Sequence, residues 1–372
     1  MDNRKFTGLD HLRAIAILLV FLYHYRMFQH PKWVDDIGWI GWTGVDLFFV
    51  ISGFLISNQL FKEIRKKQAI GLKEFFTKRF FRIIPPYAFT LFLYFCIPAF
   101  REREALPSFW KFISFTQNYG LDVIDKGTFS HAWSLCIEEQ FYLIFPLSLL
   151  FLVKTKSVHH VKFGVISLIL LSIFLRYFSW KECVVPNLHS PDFWKEWYMK
   201  IYYPTYTRLE GLATGVLIGY LFQFSEKFRS VINSKGNIFL TIGLLSISLS
   251  LFFCKDQYSE SASVFGFTFV AISYGILLLG AISKSSFLSK SNNFFTSKLA
   301  LFSYSIYLSH KGVIHLVQLF LSNINISTSG SLAFFICFLV CILTAIMYRY
   351  GIERPSSYLK NKILTNLSDE KN

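Results

Sequence analysis

Apolar positions in this chain fall in long blocks rather than in short alternations. Runs of mostly apolar residues cover 9–28, 38–61, 86–100, 134–153, 163–180, 207–224, 237–253, 263–282, 299–321 and 331–350. Most approach the ~20 residues that a helix rising 1.5 Å per residue needs to cross a hydrocarbon layer of ~30 Å. Only helices or closed barrels satisfy every backbone polar group in lipid, and no period-two strand pattern competes here. The blocks predict an all-α, polytopic transmembrane helix bundle of about ten helices. Residues 1–355 read as one transmembrane domain and residues 356–372 as a polar tail, frayed from residue 360 onward. The run 9–28 is followed by aromatic and charged residues rather than a small-residue cleavage site, so it is expected to be retained as the first helix, not removed as a signal peptide.

Composition supports the bilayer as solvent. The chain of 372 residues is 53% hydrophobic and 16% charged, with 43 Phe, whereas soluble domains carry roughly 25% charged residues. The net charge of +15 invites a nucleic-acid reading, but its distribution argues against one. With the N-terminus placed in the cytoplasm, roughly two-thirds of the 38 Lys and Arg fall in inner segments and inner helix ends, as the positive-inside rule requires. The densest stretch holds Lys62, Arg65, Lys66, Lys67, Lys73, Lys78, Arg79 and Arg82. An even number of crossings then puts both termini in the cytoplasm. Within the same stretch Phe75, Phe76, Phe80 and Phe81 interleave with basic residues, which predicts an interfacial helix, turned into the next span by Pro85 and Pro86. The six Cys have no metal-ligand or CxxC spacing, and a disulfide framework is not expected.

Ionisable groups inside the apolar blocks carry the functional signal, because each is costly in lipid. Arg13 and His24 lie eleven residues apart, which places them on one face of the first helix and ~16 Å apart along its axis. Asp46 lies near the outer end of the second helix, with Gly44, Ser52 and Gly53 leaving room for close helix approach. The fourth helix opens with Trp133, Ser134, Glu138 and Glu139; the bland account of the two Glu is stabilisation by the helix dipole. Arg208 and Glu210 open the sixth block, where a local ion pair would explain them. Tyr304 and His310 lie in the ninth, and Arg176 in the fifth. Under the topology fixed by loop charge, His24, Asp46, Glu138, Glu139, Arg208, Glu210 and His310 all fall in the outer half. Their shared depth predicts a common polar cavity.

The ordered set of motifs resembles the acyltransferase 3 family of integral membrane acyltransferases. The resemblance rests on Arg13 through His24 as an Arg-x10-His signature and on Arg79-Phe80-Phe81-Arg82 as an Arg-x-x-Arg element. It extends to Gly44-Val45-Asp46-Leu47-Phe48-Phe49 with Ser52-Gly53-Phe54, and to Trp133-Ser134-Leu135 with Glu138-Glu139 and Phe141-Tyr142. Arg208-Leu209-Glu210-Gly211-Leu212 is similar to an Arg-x-Asp-Gly-Leu element with Glu for Asp, and Tyr304 to His310 to a Tyr-Ser-x-Tyr-Leu-x-His stretch. His11 and Lys311 depart from the pattern, standing where Gly and Pro are common. Members often carry an extracytoplasmic hydrolase-like domain; any such activity is expected here in a separate protein.

The resemblance implies O-acyl transfer, commonly acetyl from cytoplasmic acetyl-CoA, to a carbohydrate hydroxyl at the outer face of a bacterial inner membrane. Acyl-CoA is then a co-substrate, and no metal is expected. Arg13, Arg79 and Arg82 are the candidates for CoA phosphates. His24 is the candidate base or transient acyl carrier, with Asp46, Glu138 or Glu139 orienting it. Ser52, Trp133, Ser134, Arg208, Glu210, Tyr304 and His310 are candidates for an acceptor or structural polar site. Surface polysaccharide, lipopolysaccharide, a lipid-linked glycan and a small molecule are all open as acceptors. Membrane lipid is the expected surrounding partner, nucleic acid is not expected, and self-association is left open. The rival from another class is a secondary transporter using Asp, Glu and His as a proton relay; no inverted repeat or broken helix pair supports it.

Overall fold

The computed structural model describes residues 6–369, so the outermost parts of the expected domain and tail, residues 1–5 and 370–372, lie outside the described residues. Among the described residues every regular element is a helix, with no strand. In chain order the helices are α1 Thr7–Tyr25, α2 Trp33–Gly38, α3 Thr43–Lys67, α4 Leu72–Cys96, α5 Phe109–Ile113, α6 Trp133–Lys154, α7 Val161–Ser179 and α8 Phe193–Trp197. They continue as α9 Glu210–Phe224, α10 Glu226–Ser234, α11 Gly236–Phe253, α12 Phe267–Ile282, α13 Phe287–Lys290, α14 Phe294–Asn323, α15 Ser331–Tyr348 and α16 Arg354–Asp369.

Every apolar block of the sequence is occupied by a helix. By length and apolarity, seven stretches among the described residues can cross a membrane: Thr7–Tyr25, Trp33–Lys67, Ser130–Lys154, Val158–Asn187, Gly236–Phe253, Ala262–Ile282 and Ser331–Asn366. The other three expected spans are α4, α9 and α14. Charged residues and two prolines dilute α4, the run of Ser, Tyr and His around Lys311 dilutes α14, and α9 has only 15 residues, ~22 Å of helix. Apolar side chains point outward in rows, among them Leu143, Ile144 and Phe151 on α6, Leu170 and Phe174 on α7, and Leu245, Leu249 and Phe252 on α11. Such faces are stable against lipid and unstable against water. The chain is a multi-pass membrane protein.

Two sequence expectations about local structure fail. The basic stretch does not form a separate interfacial helix ended by Pro85 and Pro86. Instead α3 runs on to Lys67, Gln68 closes it in the left-handed conformation (φ 54°), and α4 passes through both prolines without a break. The prolines remove two intrahelical donors, and neighbouring side chains can make good such losses in a bundle. Next to the two carbonyls so freed, those of Phe81 and Arg82, the Tyr304 hydroxyl donates to the Ile83 carbonyl at 3.0 Å and ties α14 to α4 at this point. The tail, expected to fray from residue 360, continues as helix α16 to Asp369.

The chain forms two compact units. The first comprises residues up to 16, 42–70 and 105–297; the second comprises residues 17–41, 71–104 and 298 onward. In the first unit α3 and α9 meet along a stripe of small residues. A Cβ on Gly215 would lie 2.3 Å from the Val50 carbonyl oxygen, one on Gly219 2.2 Å from Ser57 Oγ, and one on Gly53 2.2 Å from the Leu212 carbonyl oxygen. Backbones this close can be reached only without side chains at those points. The contact sets the positions of Asp46 on α3 and Glu210 on α9. In the second unit Gly41 packs against α1, where a Cβ would sit 2.2 Å from the Leu19 carbonyl oxygen. Phe21 and Tyr25 of α1 stack edge-on against Phe334 of α15.

Candidate active-site clusters

In the second unit His24 and His310 form a direct pair. His24 Nδ1 lies 2.8 Å from His310 Nε2, with ring centroids 4.9 Å apart and planes 26° from parallel. Both side chains are buried, and they come from residues 286 positions apart. The other nitrogen of His310, Nδ1, lies 3.0 Å from the Ile306 carbonyl oxygen and 2.9 Å from that of Tyr307, one turn back on its own helix. Lys311, next in sequence, is also buried and places Nζ 3.0 Å from Oε1 of the buried Glu102. The Lys at this departure from the family pattern therefore serves an internal ion pair. Arg101 and Arg103 flank Glu102, and together with Glu104, Pro98 and His315 they line an open cleft.

The first unit holds a chain of four buried charges. Arg208 Nη2 lies 2.7 Å from Asp46 Oδ1, Arg208 Nε lies 3.8 Å from Glu210 Oε1, and Arg176 Nη1 lies 2.9 Å from Glu210 Oε2. Backbone carbonyls of Val264 and Thr207 and the Thr268 hydroxyl accept three further Arg176 N–H groups. Arg208 donates to the Tyr202 carbonyl at 3.2 Å, and its guanidinium is boxed by the rings of Phe267, Tyr202 and Trp133 at 4.1, 4.6 and 5.1 Å. Two cations meet two anions, which is the condition for keeping charge out of water.

Beside that chain of charges, Glu138 faces α3. The Tyr142 hydroxyl donates to Glu138 Oε2 at 2.5 Å, Ser52 Oγ approaches the same oxygen at 3.4 Å, and Ser52 and Tyr142 bond each other. Glu138 and Tyr142 are four residues apart and so share a helix face, while Glu139 points ~100° away. Gln140 faces the loops before α6 and α9, accepting from Thr205 at 2.6 Å and donating to the Phe115 carbonyl at 2.7 Å. On those loops Lys195 Nζ sits 2.6 Å from Asp122 Oδ2. Partial burial pulls the Asp122 carboxyl upward. Hydrogen bonds from Lys195 and from the amides of Asp125 and Ile124 outweigh that pull and hold it below the usual carboxylate range.

The model of the acyltransferase domain family matches residues 6–349. The chain belongs to the acyltransferase 3 family. Its relatives include O-acetyltransferase OatA of Staphylococcus aureus (strain NCTC 8325 / PS 47), 28% identical over 384 residues, covering 95% of this chain and 57% of the relative. Another is Peptidoglycan O-acetyltransferase OatA of Listeria monocytogenes serovar 1/2a, 32% identical over 338 residues, covering 84% of this chain and 50% of the relative. The chain thus spans about half the length of the curated relatives it matches. No solved structure is matched.

Against this acyltransferase 3 framework the predicted site residues sort by unit. Asp46, Arg208, Glu210 and Trp133 come together in the first unit, as do Ser52 and Glu138. His24 and His310 come together in the second, where Tyr304 instead clasps α4. His24 Nδ1 meets His310, while Asp46 and Glu138, two of the carboxylates the sequence offered to orient His24, lie in the first unit. Ser134 is buried and Glu139 half-buried on α6. Arg79 is half-buried with its guanidinium 5.7 Å from the Phe75 ring, Arg82 is exposed, and Arg13 is half-buried on α1. The other departure, His11, joins α1 to the start of α14 through Ser291 and Thr296.

Sequence reasoning undervalued Arg176, gave Tyr142 no role beyond its place in a motif, and missed Glu102. An Arg inside an apolar block was visible. Glu102 was masked by the alternating run Arg101-Glu102-Arg103-Glu104, which reads as a solvated loop. The i, i+4, i+8 spacing of Gly211, Gly215 and Gly219 is the sequence signal of the stripe that meets α3.

Proposed function

We propose that this chain moves an acetyl group from acetyl-CoA to a hydroxyl of a cell-wall carbohydrate. The observation that carries the reading is the buried His24–His310 pair, which occupies the His of the Arg-x10-His motif. Relatives named O-acetyltransferase, one of them for peptidoglycan, support acetyl as the group and a wall glycan as the acceptor.

In the proposed reaction His24 takes the proton of the acceptor hydroxyl as its oxygen attacks the thioester carbonyl carbon. The C–O bond forms, the tetrahedral intermediate collapses with loss of the C–S bond, and the imidazolium returns its proton to the leaving thiolate. The products are an O-acetyl ester and CoA thiol, with His24 neutral again. Arg79 and Arg82 of the second unit are assigned to CoA phosphates, and Arg13 of the first unit is assigned the same class of contact. Glu138, presented with Ser52 and Tyr142, is assigned to acceptor hydroxyls. Asp46, Arg208, Glu210 and Arg176 are assigned to holding α3, α7, α9 and α12 in register.

The proposed setting is the bacterial cytoplasmic membrane, with donor side and both termini cytoplasmic. Adding α4, α9 and α14 to the seven apolar stretches gives the ten crossings this requires, and the loop charge supports the orientation. The test is alkali-labile acetate on isolated wall glycan, measured by mass spectrometry from cells with and without the chain. Equal acetate in both would reject the reading. Retention of acetate on a glycan other than the wall would move the acceptor alone.

A further inference from the structure

We infer that His310 is a positioning residue that fixes the tautomer of His24, leaving the lone pair on His24 Nε2. The inference rests on the acyl-transfer reading for its role in turnover, but its structural content follows from hydrogen-bond chemistry.

Carbonyl oxygens only accept. His310 Nδ1 faces two of them, at 3.0 and 2.9 Å, and must therefore carry a hydrogen. A neutral imidazole has one N–H, so His310 Nε2 presents a lone pair. Burial of the ring favours its neutral form, and Lys311 beside it already carries the local positive charge, matched by Glu102. His24 Nδ1 lies 2.8 Å from that lone pair and must donate to it. Neutral His24 is thus the Nδ1–H tautomer, and its basic nitrogen is Nε2. Each step is forced by the one before it, beginning at the α14 backbone.

This arrangement has a chemical consequence. Free histidine in water favours the opposite tautomer, Nε2–H, in which Nε2 cannot accept a proton. His310 does for His24 what a carboxylate does in other catalytic histidines: it fixes which nitrogen is the base and how the ring points. Unlike a carboxylate, it brings no negative charge, so it adds no anion to a site buried in the bilayer.

Two measurements on the full chain in lipid nanodiscs test this. In protein labelled with 15N-histidine, with His24→Ala used to assign the signal, long-range proton–nitrogen correlation should find His24 protonated at Nδ1 and unprotonated at Nε2. Finding the hydrogen on Nε2 would overturn the inference whatever the activity. Second, His310→Gln, whose side-chain oxygen can accept in place of Nε2, should keep acetyl transfer within about tenfold of wild type. His310→Leu should lose about 100-fold in kcat with little change in the KM for acetyl-CoA. Equal activity of the two variants would deny His310 a positioning role. Wild-type protein with His24 in the Nδ1–H form but without transfer would fail the acyl-transfer reading and not the tautomer.

Discussion

Arg208 and Asp46, 162 residues apart in sequence, meet at 2.7 Å with both side chains buried. Helices α3 and α9 come together because glycines remove the side chains between them, and the ion pair lies at one end of that contact. A buried charge that loses its partner costs ~3–5 kcal/mol, whereas replacing both partners with apolar groups is often close to neutral. Asp46→Asn or Arg208→Gln should each lower the unfolding temperature in detergent by several degrees, and Asp46→Leu with Arg208→Met should recover much of the loss. Additive losses in the double variant would show that the two side chains act independently.

Glu138 and Glu139 are adjacent but not equivalent. Glu138 bonds Tyr142 and faces Ser52, while Glu139 points elsewhere. Glu138→Gln should cut the transfer rate at least tenfold, and Glu139→Gln should cut it less. If the pair served only the helix dipole, both changes would cost ~0.3–1 kcal/mol of stability with little kinetic effect. Rates and melting curves of the two variants separate these outcomes.

Arg79 and Arg82 lie on the stretch of α4 before its prolines, three residues apart. Changing either to Ala should raise the KM for acetyl-CoA by about tenfold, the equivalent of ~1.4 kcal/mol of a charge-assisted contact, and leave the KM for the acceptor nearly unchanged. An unchanged donor KM would reduce them to topology anchors.

Much of the fold was legible because the bilayer makes apolar block length a direct statement of helix length. The blocks at 134–153 and 331–350 differ by only a residue or two from α6 and α15. The break expected at Pro85 and Pro86 failed because a proline rule drawn from isolated helices omits what neighbouring helices supply. Candidate site residues were legible as charged groups within apolar blocks, since each is costly there wherever it points. Their partners were not. Arg208 looked like a local mate for Glu210 two positions on, yet its shortest ion pair is to Asp46; His24 finds His310 286 positions away. Depth follows from counting residues along one helix, but the facing helix is chosen by tertiary packing, which a single sequence does not contain.

The account stands or falls on His24. The most direct measurement compares wild-type chain with His24→Ala in nanodiscs, following release of CoA thiol and acetylation of a chitin oligosaccharide from labelled acetyl-CoA. The expected result is a loss of at least about 100-fold in transfer, the scale of a missing general base, with unchanged melting temperature and unchanged affinity for acetyl-CoA. A His24→Ala protein that transfers acetyl at near the wild-type rate would contradict it.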